Sequence, residues 1–141
     1  MKVLVLNGPN LSRLGQREPE FYGTQTLADV EQQVTERGKA LGCTIRFLQS
    51  NHEGQLIDWI ENEGQESDAI IINPGALAHS SHALADALRG SGKPVVEVHI
   101  SNVHRREPFR HRLLTAGAAV GVITGLGVQG YVLALEFVTK R

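Results

Sequence analysis

The chain has 141 residues, 41% hydrophobic and 21% charged, a composition that suits an ordinary globular domain and excludes disordered and collagen-like classes. Its 14 basic and 15 acidic side chains leave a formal net charge of −1, so no strong overall field draws nucleic acid or anionic lipid. One cysteine, Cys43, excludes an internal disulfide framework and a cysteine-rich zinc module, and no apolar run approaches the roughly 18 residues of a membrane span. The start, Met1-Lys2-Val3-Leu4-Val5-Leu6, has no signal-peptide pattern and reads straight into a strand. The expectation is a cytoplasmic protein with a single domain over residues 1–141.

Residues 2–7 form a short apolar run stopped by Gly8-Pro9. That predicts a buried strand, because parallel strands covered on both faces lose their alternation. Residues 8–25 are irregular, and a stretch of that length in a compact domain suits a lid or binding loop, here about 11–25. From 27 to 41, Leu27, Val30, Val34 and Leu41 fall mostly at three- and four-residue steps. With Thr26 as N-cap and Gly42 as stop, they predict an amphipathic helix. Cys43–Gln49 is a second strand, interrupted by Arg46, and Leu56, Ile57, Trp59 and Ile60 make the face of a short helix ending near Gly64. Asp68–Asn73 predicts a third strand, followed by a helix over 80–89 with Ala83, Leu84, Ala87 and Leu88 on one side. Pro94–Ile100 and Val120–Thr124 supply strands four and five, and Val128–Val138 the last helix. Strands alternating with helices at this spacing imply βαβ units and right-handed crossovers. The expected fold is α/β: a flavodoxin-like three-layer sandwich, its five-stranded parallel sheet ordered 2-1-3-4-5 with helices on both faces.

Such sheets bind ligands outside the carboxyl ends of the strands, where strand order reverses. There the chain places Asn7-Gly8-Pro9-Asn10, Asn73-Pro74-Gly75-Ala76-Leu77-Ala78-His79 and Glu97-Val98-His99-Ile100-Ser101-Asn102. The lid adds Arg13, Arg17, Glu18, Glu20 and Tyr22, suited to closing over a small substrate and excluding water. His104–Arg112 is locally basic and offers guanidinium forks for a carboxylate or phosphate, with one or two arginines at most facing the site.

Other signals weaken under inspection. Gly125-Leu126-Gly127-Val128-Gln129-Gly130 matches the dinucleotide fingerprint, but the acidic partner expected about 20 residues on finds no place before Arg141. Close helix–sheet packing through glycine is the better reading. His79 and His82 stand i,i+3 without a third ligand nearby, so no metal site is expected. Lys2, Lys39, Lys93 and Lys140 all lie off the predicted rim, which argues against a Schiff base. Phe109 is the lone aromatic of the basic run, a poor platform for stacking RNA. What gathers on the rim is tyrosine, arginine, histidine, asparagine and serine: acid–base and anion-binding chemistry without a cofactor. The competing class is a non-enzymatic flavodoxin-like module that binds a phosphorylated ligand or a partner protein.

Asn7-Gly8-Pro9-Asn10-Leu11 and Leu14-Gly15-Gln16-Arg17-Glu18-Pro19-Glu20-Phe21-Tyr22-Gly23 closely resemble the opening motif of type II 3-dehydroquinate dehydratases. Asn73-Pro74-Gly75-Ala76 with His79 and Ser81, Glu97 to Asn102, Arg105-Arg106-Glu107, Phe109-Arg110 and Gly125 to Tyr131 follow in the family's order. The resemblance covers essentially the whole chain. It implies a hydro-lyase of the shikimate pathway that dehydrates 3-dehydroquinate to 3-dehydroshikimate, a reaction that serves aromatic amino acid biosynthesis and equally quinate breakdown. The reaction is an anti elimination through an enolate, without metal or coenzyme.

By the same resemblance Tyr22 is the proton acceptor. A phenol titrates near 10, so it needs an adjacent cation, and Arg17 is assigned to that task and to transition-state stabilisation. Asn10 orients a water toward the enolate oxygen. His99 is the proton donor, with Glu97 on the same strand face to orient the imidazole. Asn73 and His79 bind substrate hydroxyls, the Ile100 and Ser101 backbone and the Ser101 hydroxyl hold the carboxylate, and Arg110 reaches the C4 hydroxyl. Asp86 reaches in from a neighbouring subunit of a homododecamer built as four trimers. No nucleic acid or membrane partner is implied. Ala78 stands where threonine is usual, and Pro108 and Arg112-Leu113-Leu114 depart from the family pattern, which bears on the local loop path.

Overall fold

The computed structural model describes residues 1–141. Its strands follow the apolar runs: β1 (Lys2–Asn7), β2 (Thr44–Gln49), β3 (Ala69–Asn73), β4 (Val95–His99) and β5 (Gly121–Thr124). All pairings are parallel and the order is β2-β1-β3-β4-β5, a flavodoxin-like sheet. β3 and β4 are buried along their whole length and β1 from Val3 onward, which is why these runs carry no polar alternation.

Two layers of helix cover the sheet. On one face Val3, Val5, Ile71, Val96 and Val98 pack under Val30 and Val34 of α2 (Leu27–Ala40) and under Tyr131, Ala134, Leu135 and Val138 of α5 (Gln129–Lys140). On the other, Leu4, Leu6, Ile70, Ile72 and Val95 meet Leu56 and Ile60 of α3 (Glu53–Asn62) and Leu84 and Leu88 of α4 (His82–Gly90). Side chains alternate along β4, so Glu97 and His99 share the α3/α4 face with Val95. No helix is long and apolar enough to cross a membrane.

Local signals explain the boundaries. Thr26 closes a reciprocal capping box with Asp29, fixing the start of α2. Gly130 lets α5 lie against the sheet, since a Cβ there would stand 3.2 Å from both Val98 Cγ1 and Ile123 Cγ2. That is the packing reading of the glycine-rich run.

Three expectations need correction. The helix expected from residue 80 begins at His82, because Ser81 caps it through Leu84 N at 2.9 Å and Gly75–His79 forms a separate 3₁₀ turn. Along it Ala85 is buried and Ala83, expected on the apolar side, is exposed. Cys43 lies just outside β2. The 8–25 stretch is also not structureless: it holds a 3₁₀ turn at Leu11–Arg13 and the one-turn helix α1 (Pro19–Tyr22).

Candidate active site

Strand order sets the carboxyl ends of β1 and β3 side by side, with Asn7 and Asn73 in register. Above them a small cavity of about 110 Å³ is lined by Asn10, Arg17, Tyr22, Asn73, His79, His99, Ile100, Ser101, Arg106 and Arg110 among others. Nine of the eleven residues expected at the site therefore meet in one hollow. Glu97 lies beneath it, and Asp86 lies elsewhere, 81% exposed on α4 and paired with Arg89 at 3.5 Å. A wider, open hollow of about 720 Å³ lies on the far side of Tyr22 and Arg106, lined in part by Gln25, Gln33 and Gln129. It contains none of Asn10, Asn73, His79, His99 or Arg110, so the smaller cavity is the one that gathers most of the expected residues.

Tyr22 comes from the end of α1. Its phenol oxygen accepts from Arg106 Nη1 at 2.5 Å and from Arg17 Nη2 at 3.3 Å. Arg17 also lies over the Tyr22 ring, 4.5 Å from its centroid, and Arg106 lies 4.3 Å from the Phe21 centroid. Hydrogen bonds from charged donors of this kind are roughly twice as strong as neutral ones.

Sequence reading did not single out Arg106. In the run His104–Arg112, two short 3₁₀ turns, Val103–Arg105 and Pro108–His111, replace a regular helix, so helical periodicity could not tell which arginine turns inward. Arg106 does, with 4% of its side chain exposed, and it also donates to Ser101 Oγ at 3.2 Å. Arg110 lines the cavity while its Nε donates to Glu107 at 3.1 Å. The backbone N–H of Glu107 itself, and next Arg110, hold the Glu107 carboxyl below the usual range.

The imidazole side is built on β4. Glu97 has no exposed surface, so both carboxylate oxygens need partners. Oε2 lies 2.7 Å from His99 Nε2, and Oε1 accepts from the hydroxyl of Thr115. Thr115 is fully buried and was not legible in sequence, because it lies 18 positions after Glu97 with two 3₁₀ turns between them. His99 Nδ1 has no protein partner, yet it is not sealed from solvent.

His79 stacks on His99, ring centroids 6.3 Å apart, and its Nδ1 donates to the Arg112 carbonyl at 3.0 Å. Burial lowers its pKa from 6.5; the backbone bond opposes this, and the nearby His99 adds to it. Asn10 adopts a left-handed conformation, φ 71°, and its N–H donates to Asn51 Oδ1 at 3.0 Å, which pins the turn after β1.

Against known proteins, the chain matches the family described as Dehydroquinase class II over residues 1–139. It is 57% identical to 3-dehydroquinate dehydratase 2 of Corynebacterium efficiens, covering 100% of this chain and 99% of that protein. Among solved structures, a type II dehydroquinase from Propionibacterium acnes is 42% identical with a TM-score of 0.96, over 99% of this chain and 97% of that one. The type II dehydroquinase from Butyrivibrio crossotus is 41% identical with a TM-score of 0.97, over 100% and 98% respectively.

Proposed function

The chain belongs to the class II dehydroquinases, and from that premise we propose that it dehydrates 3-dehydroquinate to 3-dehydroshikimate in the shikimate pathway, with no metal or coenzyme. The observation that carries this reading is a phenol oxygen held between two guanidiniums in the same cavity as a carboxylate-anchored imidazole.

Tyr22 takes the proton on C2, α to the ring ketone, and the electron pair flows into the C3 enolate. Arg17 and Arg106 favour the negative charge that the base needs. Asn10 orients a water toward the enolate oxygen. The C1 hydroxyl then leaves as water, protonated by His99 on the opposite side. With Nε2 committed to Glu97, Nδ1 is the atom that delivers the proton. Glu97 balances the imidazolium charge, and Thr115 satisfies the carboxylate oxygen that His99 leaves free. Asn73 and His79 meet ring hydroxyls, Ile100 and Ser101 hold the carboxylate, and Arg110 faces the C4 hydroxyl.

Ligand cavities usually run from roughly 300 Å³ upward, well above the 110 Å³ seen here. The lid, about 11–25, therefore swings outward to admit substrate and closes over it. Gly15 at φ +91° and Gly23 at φ +74° bracket Arg17 and Tyr22, and these are left-handed conformations that glycine adopts freely. The proposal includes a homododecamer of four trimers, working in the cytoplasm. In it the exposed Asp86 reaches a neighbour's site, a contact its loose pairing with Arg89 leaves it free to make.

The test is turnover of 3-dehydroquinate by the purified chain with chelator and borohydride present, followed as absorbance of the conjugated enone. Sustained turnover is expected. No product from folded protein, or inactivation by borohydride, overturns the reading.

A further inference from the structure

Beneath the cavity runs a chain of hydrogen bonds that the reaction scheme does not use. Leu48 C=O accepts from Asn7 Nδ2 at 3.1 Å, and Asn7 Oδ1 accepts from the Tyr131 hydroxyl at 2.7 Å. The same hydroxyl accepts from Asn73 Nδ2 at 2.9 Å, and Asn73 Oδ1 accepts from Gly75 N–H at 3.1 Å. Tyr131 has no exposed surface and comes from α5, 58 residues beyond Asn73.

Both ends of the chain are backbone groups, and a backbone group has fixed polarity. The Leu48 carbonyl can only accept, so Asn7 must turn its amide nitrogen to it and its oxygen to Tyr131. That oxygen can only accept, so Tyr131 must donate there and can then only accept from Asn73. Asn73 must present nitrogen to Tyr131 and oxygen to Gly75, which has only a proton to give. One direction satisfies every link, and reversing any amide sets donor against donor or acceptor against acceptor. Burial pushes the Tyr131 phenol well above its ordinary value near 10, so the ring keeps the proton that this direction requires.

The consequence reaches the cavity through Asn73, which lines it. One amide hydrogen of Asn73 is committed to Tyr131 and the second has no protein partner. We propose that Tyr131 is a positioning and specificity-determining residue: with Asn7, and together with the Gly75 N–H, it locks the Asn73 amide in one orientation, so that Asn73 offers a hydrogen-bond donor to a ring-hydroxyl oxygen of the substrate. This rests on the dehydratase reading above. Tyr131 touches no substrate and acts through Asn73 alone.

The experiment compares 3-dehydroquinate with its 4-deoxy and 5-deoxy analogues, measuring kcat and KM for wild type, Tyr131→Phe, Asn73→Ala and the double variant. Wild type should prefer the parent over one analogue by about tenfold or more, the value of a hydrogen bond that a site is built to make. Tyr131→Phe should lose most of that preference through KM, with kcat changed by less than about threefold. Adding it to Asn73→Ala should change the preference no further. Should Tyr131→Phe fail to fold, Asn7→Ala frees the Tyr131 hydroxyl to reverse, and the same loss is expected. Unchanged discrimination in a folded variant overturns the inference, as does an independent effect in the double variant. Absence of turnover by wild type sinks the dehydratase reading instead, so the two failures are distinguishable.

Discussion

Arg106→Met removes a buried cation from the proposed base while keeping an unbranched apolar side chain in its place. The guanidinium donates to the Tyr22 oxygen at 2.5 Å, against 3.3 Å for the more exposed Arg17. Its contact with Glu18, at 3.5 Å, involves a half-exposed carboxylate and contributes little. The phenol bond therefore dominates. A hydrogen bond involving a charged group is worth about 1.5–3 kcal/mol, and about 1.4 kcal/mol is tenfold in rate. Loss of it should lower kcat about 10- to 150-fold, with KM changed by less than about threefold because the bond supports the base and is not a substrate contact. Arg106→Lys restores the charge without the fork that also reaches Ser101, and should fall between. Initial rates from enone absorbance, with circular dichroism melts to show intact folding, measure the effect. A folded Arg106→Met enzyme within about twofold of wild-type kcat would refute the reasoning.

Thr115→Val leaves one oxygen of the fully buried Glu97 without a donor, which should lower stability by about 1–3 kcal/mol and shift the pH–rate profile; Thr115→Ser should restore both. Thr26→Ala breaks the capping box of α2 and should cost about 1 kcal/mol, read in a denaturant melt, without changing kcat. The lowered pKa of His79 sets a stability trend with pH. Below 6.5 the unfolded chain takes up a proton that the native ring resists, so this stability is full above 6.5 and is lost as pH falls through the native value. His79→Gln should flatten that limb of melting temperature between about pH 8 and 5.

The central strands were readable because burial on both faces writes itself as uninterrupted Val, Leu and Ile, and α2 because Thr26 and Asp29 mark its first turn. The rim was readable for a topological reason. A 2-1-3-4-5 sheet brings the ends of β1, β3 and β4 together whatever their separation in sequence, so Asn10, Asn73 and His99 could be grouped in advance. What escaped notice depends on tertiary contact alone. Arg106 is one of four arginines between 105 and 112, and only the path of two 3₁₀ turns selects it. Thr115 lies in no motif and Tyr131 closes one that does not reveal its partner, since Glu97 and Asn73 lie 18 and 58 residues away. The apolar side expected from Ala83, Leu84, Ala87 and Leu88 differs from the buried one by a single step, since alanine at 83, 85 and 87 carries no pattern that tells which of them faces the sheet.

Turnover and binding by Tyr22→Phe, measured beside wild type, test the proposed phenol base most directly. The account predicts calorimetric affinity for 3-dehydroquinate within a few-fold of wild type and a kcat lower by about 10²–10⁴. A folded Tyr22→Phe variant that releases product at near wild-type rate would contradict it.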